Sequence, residues 1–288
     1  MISAEQKKTL EKILVRVGDM GFRRRVIDIV NGLNLKGKEK VLDCGCGEGF
    51  YTLVLSQLYP DLKIVAFDHD KEILTKAKAW IGERKNVEWL SSEIEDGLPF
   101  KSGEFDRVIF SEVLEHLTDD VGALKEVARL IKKGGFVVIT VPSANYPFLW
   151  DPVNFLREKL GWGHFSGSNQ FWGGVWSWNH LRLYTPESLE KLIKDSGLKV
   201  EGMKANVRFC LPFNYWMLFV GKRLVNWIPL PKTVSKSLEK FEWQDEDTTS
   251  GGIANLLKAP VLWVDSLNDK WPARLDRRHL SLFAVARK

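Results

Sequence analysis

The run Val41-Leu-Asp-Cys-Gly-Cys-Gly-Glu-Gly49 constrains this chain more than any other stretch. A short apolar strand, Lys40 to Leu42, enters a glycine-rich turn, and a helical pattern over Tyr51 to Leu58 leaves it. The next apolar run, Lys63 to Phe67, ends on Asp68. A strand, a glycine turn, a helix and a second strand closed by an acid describe a nucleotide-type site at the carboxyl ends of parallel strands. Glycine lets the backbone approach a ligand because no Cβ intervenes. A terminal acid accepts hydrogen bonds from ribose hydroxyls. The spacing narrows the ligand. Gly45, Gly47 and Gly49 give Gly-x-Gly-x-Gly rather than the Gly-x-Gly-x-x-Gly of dinucleotide sites. Asp43, two residues upstream, suits a cationic group better than a pyrophosphate.

Alternating strand and helix patterns continue downstream, which implies a parallel sheet covered by helices on both faces. Strands are expected at 40–44, 63–67, 87–91, 105–111 and 135–141, with helices at 49–58, 70–81, 119–132 and 185–196. Gly134-Gly135 reads as the end of the third of these helices, with Lys132 and Lys133 in its last turn. Thr185-Pro186-Glu187 reads as an N-cap, a proline at the first helical position and an acid in the first turn. Before the glycine turn, Leu10, Ile13, Leu14 and Val17, then Phe22, Val26, Ile27 and Val30, mark one or two amphipathic helices over residues 3–30.

Several segments carry a resemblance. Val41 to Thr52 resembles the first motif of class I S-adenosylmethionine-dependent methyltransferases. FDRVIFSEVLEHL (105–117) resembles the fourth-strand motif of the small-molecule branch that includes the ubiquinone-biosynthesis O-methyltransferases. LIKKGGFVVITVP (130–142) resembles that family's fifth strand, and HLRLYTPESLEKLIKDSGLKV (180–200) its following helix and sixth strand. The resemblance spans roughly residues 38–200 and returns in Leu280 to Ala286. It implies a doubly wound, mostly parallel seven-stranded α/β sheet, the Rossmann-like methyltransferase fold, with an aromatic-rich helical cap. It also implies S-adenosylmethionine as cofactor, which brings an amino group and a ribose but no phosphate.

The expected organisation is N-terminal helices over 1–36 and a methyltransferase core over 37–204 and 280–288. Within it, the cap insert is 144–180, and a Trp-rich helical insert occupies 205–279. On the resemblance, Asp43 faces the cofactor's amino group, Gly45 and Gly47 approach its methionine part through backbone, and Asp68 takes the ribose. Cys46 and His69 flank these residues and belong to the cofactor-contacting set. Glu93 takes the adenine amine, where the family often has Asp, and Ile94 packs the ring. Ser111 lies under the methionine moiety. Asp70 reads as the cap of the helix at 70, which leaves Asp68 free for the ribose.

The acceptor side is less legible, because methyl transfer from a sulfonium needs mainly contact and exclusion of water. His116 and His180 are the candidate catalytic residues. A histidine base suits a hydroxyl acceptor at neutral pH, and a packing role is the competing account for each. Glu112, Glu115 and His116 also offer a weak metal signature, and no metal is expected. Residues 211–228 place Phe213, Trp216, Met217, Val220, Leu224, Trp227 and Ile228 on one helical face, near Lys222, Arg223, Lys232, Lys236 and Lys240. Both a core-packing cap helix and a helix lying in a membrane interface fit that pattern.

Composition bounds the rest. Of twelve tryptophans, most lie after residue 149, and the net charge of +5 is too mild to imply nucleic acid. Three cysteines, two of them packed into the glycine turn, argue against a disulfide framework and for a reducing compartment. The start, MISAEQKKTLEK, lacks a signal-peptide core, and no run of about 20 apolar residues exists to span a bilayer. A cytoplasmic location, with peripheral membrane contact as an alternative, is expected. The acceptor is expected to be a small or lipid-like molecule, methylated on O or C; the oligomeric state is left open. An RNA or protein methyltransferase, or a non-catalytic cofactor-binding module, are the rival readings.

Overall fold

A computed structural model describes residues 2–14, 17, 19–165, 168, 171–211, 213, 216, 220 and 252–288. Seven strands form one sheet: β1 (Lys40–Cys44), β2 (Lys63–Asp68), β3 (Val87–Ser91), β4 (Phe105–Ser111), β5 (Ile131–Pro142), β6 (Lys199–Asn206) and β7 (Ser281–Arg287). Their order is β3-β2-β1-β4-β5-β7-β6. β1 to β5 run parallel, while β7 inserts antiparallel between β5 and β6. This is the doubly wound, mostly parallel arrangement expected.

Strand side chains alternate between faces, and the register turns that alternation into two cores. Val41, Ile64, Ile109, Val138 and Phe283 pack under the helices α1 (Ala4–Leu14), α2 (Met20–Gly32) and α3 (Phe50–Leu58). Leu42, Val65, Val108, Val137, Ile139 and Leu282 face the other way, toward α5 (Asp120–Leu130) and α7 (Pro186–Asp195). A smaller cluster, Cys46, Ala66 and Leu74 against Trp89, seats α4 (Lys71–Ile81). The sequence stripe Leu10, Ile13, Leu14, Val17, Phe22, Val26 and Val30 is buried as its spacing implies, while Ile27 of the same stripe is only partly buried. The break between α1 and α2 ends on Asp19, whose carboxylate accepts from Phe22 N–H at 3.1 Å.

Asp70 caps α4 by accepting from Glu72 and Ile73 N–H. Thr185 and Ser188 form a reciprocal capping box at α7. Gly134-Gly135, however, does not end a helix. α5 stops at Leu130 because loop amides satisfy its last carbonyls: Gly103 N–H reaches Arg129 O, and Glu104 N–H reaches Leu130 O. The chain turns at once into β5, where Ile131 pairs with Phe105 before the register shifts at a bulge. Gly135 sits where a Cβ would lie 2.7 Å from Asp106 O, so close backbone approach explains the glycine. Lys132 reaches Asp106 at 2.8 Å instead of dressing a helix end.

The segment after β5 is tied by polar groups. α6 (Pro152–Lys159) is N-capped by buried Asp151, which accepts from Asn154 N–H, Asn154 Nδ2 and Val175 N–H. Asn154 in turn donates to Trp172 O and Gly173 O and accepts from Phe165 N–H. Glu158 receives Tyr146 Oη at 2.9 Å and Trp176 Nε1 at 2.7 Å. His164 stacks on Trp176 with ring centroids 3.6 Å apart.

A last helix, α8 (Gly252–Lys270), docks on α2 through Arg24, which pairs with Asp269 and with both side chain and carbonyl of Asp265. Asn268 clasps residues 208–209 through three hydrogen bonds. The expected amphipathic helix at 211–228 lies mostly outside the described residues. Among those described, no helix is long and apolar enough to cross a membrane.

Candidate cofactor and acceptor site

The carboxyl ends of β1 and β2 hold the glycine turn in place through Asp68. Its Oδ2 accepts from Gly47 N–H at 2.8 Å and its Oδ1 from Asp70 N–H at 3.0 Å. Cys46 N–H donates to Phe67 O at 2.8 Å, which closes the turn onto β2. His69 Nδ1 lies 3.2 Å from Asp68 Oδ1, on an exposed side chain. Ser92 N–H donates to the backbone carbonyl of Asp68 at 3.2 Å, which ties the segment after β3 to the end of β2.

The glycines of the turn do different work. Gly45 has φ +69, and a Cβ there would stand 2.5 Å from Val113 Cγ2; internal packing demands it. Gly47 has φ +52 and would meet nothing within 4 Å. Its missing side chain leaves open space, as a backbone cradle for a ligand requires.

Asp43 is buried behind the turn and accepts from Thr52 Oγ1 at 2.6 Å. Burial, opposed by the Thr52 hydrogen bonds and helped by the Asp68 charge, pushes its carboxyl up to about 6. A carboxylate so placed is stabilised by a cation. Cys46 is buried against Ala66 and Leu74, so its side chain fills the turn while its amide shapes it. Burial raises both the Cys44 and Cys46 thiols, and both are free.

Beyond β3, Glu93 is exposed, whereas Ile94 is buried in the larger core. Ser111, at the end of β4, binds Thr140 Oγ1 at 2.7 Å and Tyr51 Oη at 3.1 Å. Thr140 donates to Glu112 Oε1 at 2.9 Å, and Arg25 of α2 reaches Glu112 Oε2 at 2.5 Å. Although burial pushes the Glu112 carboxyl up, the Arg25 guanidinium holds it below the usual range. Glu112 adopts φ +55, a strained conformation for a residue with a Cβ. Tyr51, Arg25 and Thr140 are partners that sequence reasoning did not find. They come from three separate elements, and only the fold brings them to Ser111 and Glu112.

The two candidate histidines do meet. His116 follows β4 in a 3₁₀ turn (Leu114–His116) and His180 closes the cap, with ring centroids 4.9 Å apart. Leu181 N–H donates to Glu115 O at 2.8 Å, which fixes their approach. His180 Nδ1 lies 2.8 Å from Val175 O. Burial first, then the neighbouring His116, lowers His180 to about 4; burial also lowers His116. Glu115 is fully buried, and burial together with the Glu112 charge raises its carboxyl well above the usual range.

A seven-stranded sheet with an inserted antiparallel β7 and a carboxylate-bound glycine turn at its β1–β2 end defines a Rossmann-like methyltransferase fold. Comparisons with known proteins agree. Residues 42–139 match the family model described as a methyltransferase domain. The demethylmenaquinone methyltransferase of Lactococcus lactis is 38% identical over 101 residues, 34% of this chain and 40% of its own length. The malonyl-acyl-carrier-protein O-methyltransferase of Legionella pneumophila is 31% identical over 133 residues, 46% of this chain and 42% of its own length. The chain thus spans less than half the length of either curated relative. Among solved structures, an S-adenosylmethionine-dependent methyltransferase from Mesorhizobium loti aligns with TM-score 0.52 at 14% identity, over 93% of this chain and 98% of that one. The 4+2 cyclase SpnF aligns with TM-score 0.55 at 15% identity, over 92% of this chain and 80% of that one. At such identities the likeness is of fold, and a fold shared with a cyclase does not fix the chemistry. Over residues 42–139 the chain thus matches a methyltransferase domain, and its sheet has the fold of an S-adenosylmethionine-dependent methyltransferase.

Proposed function

We propose that this protein transfers a methyl group from S-adenosylmethionine to a small-molecule or lipid-linked acceptor, by O- or C-methylation. The observation that carries the reading is the Asp68 carboxylate, pinned by Gly47 and Asp70 N–H beside the open space at Gly47. In this reading Asp68 and His69 meet the ribose, and Asp43 lies toward the amino group. Gly45, Cys46 and Gly47 offer backbone, Glu93 and Ile94 border the adenine, and Ser111 supports the methionine end. When bound, the cofactor supplies an electrophilic methyl with a neutral leaving group. The chain's own share is to hold donor and acceptor together and to exclude water.

His116 and His180 face the acceptor. For a hydroxyl acceptor, one of them receives its proton. The cap supports an apolar acceptor: Trp162 is 66% exposed, Trp178 62% and, on α8, Trp263 66%. Exposed aromatic surface of this kind marks contact with apolar partners, and the same surface is where a membrane would be met. The two curated relatives, whose names specify demethylmenaquinone and malonyl-acyl-carrier protein, favour a small or carrier-linked acceptor over a nucleic acid.

Incubation with methyl-labelled donor and fractionated cell extract tests the reading. It predicts label in an organic-extractable or low-mass fraction, and none when Asp68→Ala replaces the wild type. Label that enters RNA or protein would favour the rival substrate classes, and none anywhere would favour a binding module.

A further inference from the structure

Glu115, His116 and His180 converge where the turn after β4 meets the end of the cap. Glu115 is 0% exposed, and among the described residues neither carboxylate oxygen reaches a hydrogen-bond donor of another residue. A buried, unpartnered carboxyl group is costly, so buried charges in proteins are paired or coordinate metals. His180 Nε2 lies 4.0 Å from Glu115 Oε1. Its Nδ1 is engaged by Val175 O at 2.8 Å. A backbone carbonyl on one ring nitrogen fixes the tautomer and leaves the lone pair of the other free, the arrangement found behind metal-bound histidines. His116 lies in hydrogen-bonding range of the backbone of Trp178 and Asn179, both at positive φ (62° and 60°).

The geometry points to a site for a divalent transition-metal cation held by Glu115, His116 and His180. One donor atom from each lies within 4.8 Å of the others. Tetrahedral ligands at about 2.1 Å from zinc stand about 3.4 Å apart, so the three side chains draw in by roughly an ångström. Glu112 stands outside the set because Arg25 and Thr140 already hold its oxygens. Two imidazoles and one carboxylate suit zinc, manganese, iron or nickel better than magnesium or calcium, which take oxygen ligands. Three protein ligands leave a position open. On the proposed acceptor side, on which this role rests, that position takes an acceptor oxygen and lowers its pKa, and with the metal bound neither histidine serves as the base.

The test uses the metal alone. Chelator-stripped full-length protein is titrated with zinc or manganese by calorimetry, and bound cobalt is followed by its visible absorption. Wild type binds one equivalent. Glu115→Gln and His180→Ala each weaken binding by at least about tenfold and abolish the cobalt bands. His164→Ala, at the His164–Glu158 pair in the cap, changes neither. Glu115→Gln keeps the side chain's shape, so it decides the matter if His180→Ala fails to fold. No stoichiometric binding by wild type, or binding undiminished in Glu115→Gln, overturns the proposal. Neither result bears on cofactor binding, which the Asp68 variant measures separately.

Discussion

At the residue scale, Asp43 and the two glycines beside it separate packing from ligand binding. Asp43 has a folded-state pKa near 6, raised from its ordinary value. An ammonium group brought beside it favours the ionised form, so binding below pH 6 must release a proton. Cofactor affinity is therefore flat above that pH and falls by up to about tenfold per unit below it; calorimetry across pH 5–8 reads this, and Asp43→Asn flattens the profile. Gly45→Ala drives a Cβ into Val113 and lowers unfolding free energy by about 2–4 kcal/mol. Gly47→Ala meets no protein atom and costs only about 1–2 kcal/mol of stability. Its Cβ occupies the open side of the turn, so cofactor affinity falls more than in proportion. Denaturant titration with and without cofactor distinguishes the two. The sequence displays all three residues, since a glycine pattern with an upstream acid is local. It does not display that Gly45 answers to Val113, a contact set by how β4 ends.

At the scale of elements, periodicity was a reliable guide wherever one face of a strand or helix meets the core. It failed where an element's end is set by a partner. α5 stops at Leu130 because Gly103 and Glu104 supply amides from a distant loop, and nothing near Gly134 announces that. The cap shows the same limit. Asp151, Asn154 and Glu158 are isolated polar residues in an aperiodic, aromatic-rich stretch, yet they tie α6 to Phe165, Trp172, Gly173, Val175 and Trp176. Asn154→Ala removes several buried hydrogen bonds and costs about 2–3 kcal/mol. The loss is local: hydrogen exchange speeds at the Phe165 and Val175 amides, while the amides of β1 and β4 keep their protection. Asn268 plays a similar part for α8, and Asn268→Ala frees the Arg208 and Phe209 amides in the same assay.

Across the whole molecule, one sheet sets two tasks side by side. The ends of β1 and β2 present the proposed cofactor cradle, and the end of β4 presents Ser111 and Glu112, with the buried Glu115 just beyond it and His180 packed against His116. The glycine turn and Asp68 were legible because these residues are consecutive or end a neighbouring strand. The partners of Ser111 and Glu112 were not, because Arg25, Tyr51 and Thr140 lie on three separate elements, and only topology brings the candidates His116 and His180 together. The central claim is that Asp68, held by the glycine turn, grips the ribose of S-adenosylmethionine. Isothermal calorimetry of the donor with wild type and Asp68→Ala, both shown folded by circular dichroism, tests it most directly. Wild type binds one equivalent, and the affinity of the variant is at least about tenfold lower, the loss of a charge-assisted hydrogen bond. Equal affinity in the two proteins would contradict it.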